Sequence, residues 1–192
     1  MVTCAAQALV GADGLSVTIA LPAIQDDFGV APIDGQWVIS AYALAFGGTL
    51  LLAGRLGDLY GRRRLLTCGM TVFTAGAIVA ALSPALEPLV AARAIQGLGA
   101  AASIPASLAL IGAVIPAGRE RTHALSLLAA MASVGVITGL LLGGVVTQLL
   151  GWRWVFAVLG LPALATAVVA PGLVPETRAE RPGLRLDVPA PC

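Results

Sequence analysis

GRLGDLYGRRR, residues 54–64, places five charges in eleven positions of a chain that is only 11% charged overall. Long runs of Ala, Leu, Val and Gly lie on both sides of it. A charged knot between two apolar runs reads as the place where two membrane-crossing helices meet water. The flanking sequence repeats that alternation from end to end.

The 192 residues are 58% hydrophobic, with a mean hydropathy of +0.94. A soluble domain carries about 25% charged residues. Here too little polar surface exists to cover the apolar excess, so the natural solvent is lipid rather than water around a large helical core. The net charge of +1 says nothing about nucleic acid, since the distribution along the chain carries that information, and no nucleic-acid partner is expected. Every basic residue is Arg, and Lys and Asn are missing, a bias that suits a GC-rich bacterial genome. Cys4, Cys68 and Cys192 are scattered, without metal spacing, and read as small apolar fillers. No cleavable leader is expected, because nothing basic precedes the first apolar run and Asp13 interrupts it.

Crossing a hydrocarbon core of roughly 30 Å takes about 20 residues at about 1.5 Å each. Six stretches qualify, at 3–23, 36–53, 65–83, 89–113, 124–150 and 154–173. The expected fold class is therefore an all-α membrane protein of six transmembrane helices. Residues 1–174 form the bundle, and 175–192 form a polar cytoplasmic tail or the start of a linker. With the amino terminus inside, the inner segments hold Arg55, Arg62, Arg63, Arg64, Arg119, Arg121, Arg178, Arg181 and Arg185, against Arg153 alone outside. That asymmetry predicts a multi-pass protein of the plasma (inner) membrane with both termini cytoplasmic. Trp37, Trp152 and Trp154 fall at outer span ends, where indole rings prefer the headgroup layer.

Asp13 lies near the middle of the first span. An ionised acid there costs several kcal/mol unless it is paired, hydrated or protonated, so Asp13 reads as a proton carrier or as an acid hydrogen-bonded to neighbouring spans for structure alone. Arg93 enters the membrane on the fourth span, with Gln96 and Gly97 following on the same helical face. A guanidinium does not give up its proton, so it needs a counter-charge, carbonyls or water, or else must reach the outer headgroups. Gly135, Gly139 and Gly143 recur every four residues, with Gly144 beside them, and make a smooth helix face for close packing. In the opening stretch, Gly54, Gly57 and Gly61 permit tight turns and close approach, while Asp58 and Arg62 carry opposite charges at the turn. Arg63 and Arg64 read as positive anchors, and the lone His123 as a solvated residue at a loop edge. No phosphate-binding loop, metal spacing or nucleophile elbow occurs, so neither an enzyme nor a cofactor or metal is expected.

The GRLGDLYGRRR stretch resembles the loop signature of the major facilitator superfamily, G-x-L-a-D-r-x-G-r-[RK], at Gly54, Asp58, Gly61 and Arg62. LVAARAIQGLGAA (89–101) is similar to that family's fourth-span pattern through Arg93, Gln96 and Gly97. GVITGLLLGG (135–144) resembles its fifth-span antiporter pattern, and DGLSVTIALPAI (13–24) and GWRWVF (151–156) resemble the fourteen-span drug:proton antiporter branch. The resemblance implies one half-bundle of a major facilitator fold, built from two inverted three-helix repeats. It implies proton-coupled efflux of drugs or other small molecules by alternating access, with Asp13 and Arg93 in proton coupling. The glycine face of span 5 would slide against an opposite half, and the Asp58 loop would latch the inner side. Leu140 stands where the antiporter pattern has Pro. The partners implied are the lipid bilayer, a small-molecule substrate, protons, and a carboxy-terminal half or a second copy of the chain. Three arrangements fit: a fragment, a dimerising half-transporter, or an inactive remnant. The competing function is a non-transporting membrane interaction module.

Overall fold

The computed structural model describes residues 2–177. Its elements are α1 (Val2–Phe28), the short α2 (Pro32–Gly35), α3 (Trp37–Tyr60), α4 (Arg62–Ala81), α5 (Leu86–Val114), α6 (Arg119–Leu150) and α7 (Arg153–Leu173). No strand occurs among the described residues. Six segments are long and apolar enough to cross a membrane: α2 and α3 together make one, Pro32–Tyr60, and each other helix makes one. The expected tail lies outside the described residues from 178 onward, Arg178, Arg181 and Arg185 included.

The helices outrun the apolar stretches that announce them. α1 has 27 residues, and at about 1.5 Å per residue it is roughly 40 Å long, more than the roughly 30 Å hydrocarbon core. The excess carries charge into the interfaces: Asp26 and Asp27 ride the last turn of α1, and Arg119 and Glu120 the first turn of α6. GRLGDLYGRRR is accordingly not a loop. α3 runs through Asp58 to Tyr60, α4 begins at Arg62, and only Gly61 breaks the helix, with φ of 110°. That backbone conformation is open to glycine and strained for residues with a Cβ.

Direction alternates from one long helix to the next, so α1, α3 and α4 form one three-helix unit and α5, α6 and α7 a second that starts from the opposite end. The packing reflects this relation. Exchanging the two units carries the α1–α6 contact onto α5–α3 and the α4–α5 contact onto α7–α1, while α4–α7 and α1–α5 map onto themselves. The protein is an integral membrane half-bundle of two inverted repeats.

Two apolar clusters fill the interior. One gathers Ile24, Leu89, Trp152 and Phe156, and the other Leu66, Met70, Phe73 and Leu110. The outer surface is apolar as well: Leu51, Leu149, Leu161 and Val168 are among the most exposed side chains. In water such a surface would drive aggregation; in lipid it is the solvated face. Hydroxyls inside the helices find local acceptors. Thr74, Ser103 and Thr166 each donate to the carbonyl four residues earlier, which satisfies them where water is absent.

Candidate functional site

Asp13 on α1 and Arg93 on α5 lie 80 residues apart in sequence and meet between the two apolar clusters. Arg93 Nη1 sits 2.9 Å from Asp13 Oδ1 and 2.8 Å from Oδ2, and it also donates to Gln96 Oε1 at 2.9 Å. Arg93 Nε donates to the backbone carbonyl of Val38 on α3 at 3.2 Å. Above the guanidinium lies the Tyr42 ring, 4.3 Å from carbon to centroid, and the Phe156 ring of α7 is 6.0 Å away. Asp13 is 0% and Arg93 1% exposed, so the pair is closed to solvent and to headgroups alike. The route by which Arg93 would reach the outer headgroups is excluded.

Burying two charges costs several kcal/mol each, and their attraction offsets this only when the geometry and the remaining hydrogen bonds are good. One nitrogen here spans both carboxylate oxygens, rather than two nitrogens gripping two oxygens as in the tightest Arg–carboxylate pairs. Gln96, Val38 and Tyr42 then matter, because they hold the cation from the other side.

Two glycine contacts place the pair. Gly135, Gly139 and Gly143 are buried against Ala8, Ala12 and Ser16 of α1. A Cβ on Gly135 or Gly139 would run into the carbonyl oxygen of Ala8 or Ala12, and one on Gly143 would lie 2.7 Å from the Ser16 Cα. Ser16 Oγ reinforces the contact, lying 2.7 Å from the Ala12 carbonyl and 2.9 Å from that of Gly139. The expectation that this face slides on an opposite half is thus corrected: it is spent on α1 of the same half. Gly144 lies off the seam, its nearest neighbour being Ile19 at 4.0 Å, and Leu140 is 47% exposed on another side. On α5, a Cβ at Gly97 would lie 2.5 Å from the Tyr42 carbonyl oxygen. Its absence lets α3 come close enough for Val38 and Tyr42 to reach Arg93.

The Arg-rich end forms a second, separate cluster. Arg62 bonds Asp58 at 3.1 Å and the Ala109 carbonyl of α5 at 3.1 Å. Arg63 bonds the Pro171 and Val174 carbonyls and lies 3.4 Å from Glu176, which Arg64 approaches at 3.6 Å. Three arginines at a helix N-terminus oppose the helix dipole. Glu176 answers this: its carboxylate accepts the Arg63 backbone N–H at 3.3 Å and packs on Gly61, while the Thr177 carbonyl accepts the Arg62 N–H at 3.0 Å. Arg63 and Arg64 are therefore cross-links and not merely lipid anchors. Of the signature glycines, Gly61 makes the turn and Gly57 packs on Leu65, but Gly54 has no close neighbour.

At the opposite end, Trp152 is buried rather than displayed to headgroups, unlike Trp37 and Trp154. Its indole N–H donates to Asp27 at 3.2 Å, Arg153 bonds the same carboxylate at 2.8 Å and the Ser83 carbonyl at 3.3 Å, and Phe28 meets the indole edge-on at 5.4 Å. Cys68 is exposed and Cys4 half-buried, both unpaired, and His123 is exposed on the first turns of α6. Cys192 lies outside the described residues. Sequence reasoning missed Val38, Tyr42, Ser16 and Glu176; only Glu176 carried a signal, as an acid amid arginines.

Six membrane-crossing helices in two exchangeable triplets, with an ion pair sealed between them, define the build of a transporter half. The family model described as Major Facilitator Superfamily matches residues 3–189, and the chain belongs to that superfamily. It is 42% identical, over 98% of its length, to the puromycin resistance protein pur8 of Streptomyces alboniger, covering 37% of that protein. It is also 40% identical to the cephamycin export protein CmcT of Amycolatopsis lactamdurans (98% of this chain, 39% of that one), and 42% to a lincomycin resistance protein of Streptomyces lincolnensis (95% and 37%). The match is with the amino-terminal half of the drug-efflux branch. The chain spans well under half the length of these relatives. Among solved structures, a bacterial homologue of the human lysosomal transporter Spinster superposes with TM-score 0.81 at 18% identity (93% of this chain, 45% of that one), and a peptide transporter POT with 0.79 at 16% (89% and 36%). These likenesses are of fold.

Proposed function

We propose that this half-bundle serves proton-coupled efflux of drugs or other small molecules across a bacterial inner membrane, its arginine-bearing end and both termini facing the cytoplasm. The observation that carries the reading is the sealed Asp13–Arg93 pair. A proton arriving on Asp13 removes the counter-charge of Arg93, and a stranded buried cation changes the relative energy of inward- and outward-open states. Each proton moving down the potential contributes about 2.3 kcal/mol per 100 mV. The resistance and export relatives support the substrate class. α6 runs unbroken from Arg119 to Leu150, so Leu140 brings no proline kink to the antiport step.

The midplane cavity of such transporters lies between two halves. The second half is either a carboxy-terminal six-helix unit or another copy of this chain. Vesicles holding the purified chain, with and without a co-expressed carboxy-terminal half from a relative, separate these. Dye movement driven by a pH gradient is expected only when a second half is present, or with the chain alone if it crosslinks as a dimer. In the active assembly Asp13→Asn should abolish the pH-gradient dependence while leaving insertion intact. An Asp13→Asn assembly that keeps its proton dependence removes Asp13 from the mechanism.

A further inference from the structure

The cation in the central pair is held from two sides, and only one side is an acid. α1 presents Asp13, and α3 presents the Val38 carbonyl at 3.2 Å from Arg93 Nε and the Tyr42 ring at 4.3 Å from the guanidinium carbon. Val38 and Tyr42 are one helical turn apart, so one stripe of α3 makes both contacts. Phe46, a turn further on, stacks on Tyr42 with centroids 6.1 Å apart and rings 4° from parallel, which backs the Tyr42 ring. Gly97 brings α3 within reach, since a Cβ there would meet the Tyr42 carbonyl at 2.5 Å, Ala45 at 3.1 Å and the Phe46 nitrogen at 3.2 Å. The groups facing the cation are therefore Asp13 from α1, Gln96 from its own helix α5, Val38 and Tyr42 from α3, and Phe156 from α7.

We infer that Tyr42 is a positioning residue for Arg93, an aromatic seat on α3 that keeps the guanidinium in place when Asp13 carries no charge. This rests on the reading of Asp13 as proton acceptor. Arg cannot shed its proton, so once Asp13 is neutral a buried charge remains with carbonyl and amide dipoles and two rings, of which Tyr42 at 4.3 Å is much nearer than Phe156 at 6.0 Å. Cation–ring attraction is strongest where water is excluded, and Arg93 is 1% exposed. The ring thus contributes most in the state where the acid contributes least. The contact uses the π face and not the hydroxyl, so Phe serves in place of Tyr and Leu does not. In transport terms, α3 rather than α1 keeps the arginine after proton binding, leaving α1 free of its ionic tie to α5.

A mutant cycle read by thermal unfolding of the whole chain in lipid nanodiscs tests this without any transport measurement, so its outcome is separate from that of the Asp13→Asn transport assay. Tyr42→Leu is measured in the wild-type, Asp13→Asn and Arg93→Gln backgrounds, with Tyr42→Phe alongside. The melting temperature lost on Tyr42→Leu should be larger in Asp13→Asn than in wild type by roughly 2–4 °C. It should be smaller in Arg93→Gln, and Tyr42→Phe should lose little in any background. Equal losses in all three backgrounds, or a smaller loss in Asp13→Asn, show Tyr42 to be ordinary packing and overturn the inference. Should Asp13→Asn not insert, the comparison of wild type with Arg93→Gln decides: a loss undiminished without the arginine is the overturning result.

Discussion

Asp13 and Arg93 stand out because the apolar spans around them make every charge conspicuous. Their residue types say that each needs a partner; that each is the other's partner follows from the α1–α5 contact, which no local pattern encodes. Removing one member leaves the other charge unpaired. Asp13→Asn or Arg93→Gln alone should lower stability by about 3–5 kcal/mol, and the double substitution should recover most of that loss. Denaturant titration in mixed micelles measures it, and a double variant no more stable than the worse single variant would show the two sites to be independent. Val38 and Tyr42 were not legible in the sequence, for a plain reason. A backbone carbonyl has no residue signature, and one tyrosine in an apolar helix looks like core.

For whole elements, periodicity names a face without naming what covers it. The four-residue glycine spacing on α6 marked a smooth seam, and the structure sets α1 against it. Gly139→Leu should force α1 and α6 apart and destabilise by about 1–3 kcal/mol, whereas Leu140→Ala, on an exposed neighbouring position, should stay within about 0.5 kcal/mol. Thermal unfolding of the two variants side by side makes the comparison, and similar losses would disprove the seam. Helix ends were the least legible feature. Charges and glycines in GRLGDLYGRRR suggested a loop, yet Asp58 and Arg62 pair across a single non-helical residue. An interfacial helix keeps its backbone bonds while its side chains turn polar, so loss of hydrophobicity marks the edge of lipid and not the end of the helix.

For the whole molecule, the helix contacts set the repeat, and the distribution of arginine is the ground for the orientation we propose. Topology is tested with single cysteines in a variant whose native cysteines are replaced by Ala. A membrane-impermeant thiol reagent added to intact cells should label Asp34→Cys and Glu87→Cys, and should reach Arg64→Cys and Glu120→Cys only after permeabilisation; the reverse pattern would invert the assignment. The repeat was legible through the resemblance of the motifs, and the exchange symmetry of the packing gives it a physical basis. The core clusters show why the site sits where it does: each repeat places its first helix, α1 or α5, next to the other's. The one charged residue buried on each then lies at the common axis.

The Glu176 and Thr177 contacts fold the chain back from the end of α7 onto the start of α4. A tension applied downstream of Thr177, whether by a fused reporter or by an optical tweezer, would therefore not peel α7 away first. It would be shared with the base of α4 and, through Arg62 and Ala109, with α5. Glu176→Gln loosens that tie, so the same pull should detach the last helix at a lower force.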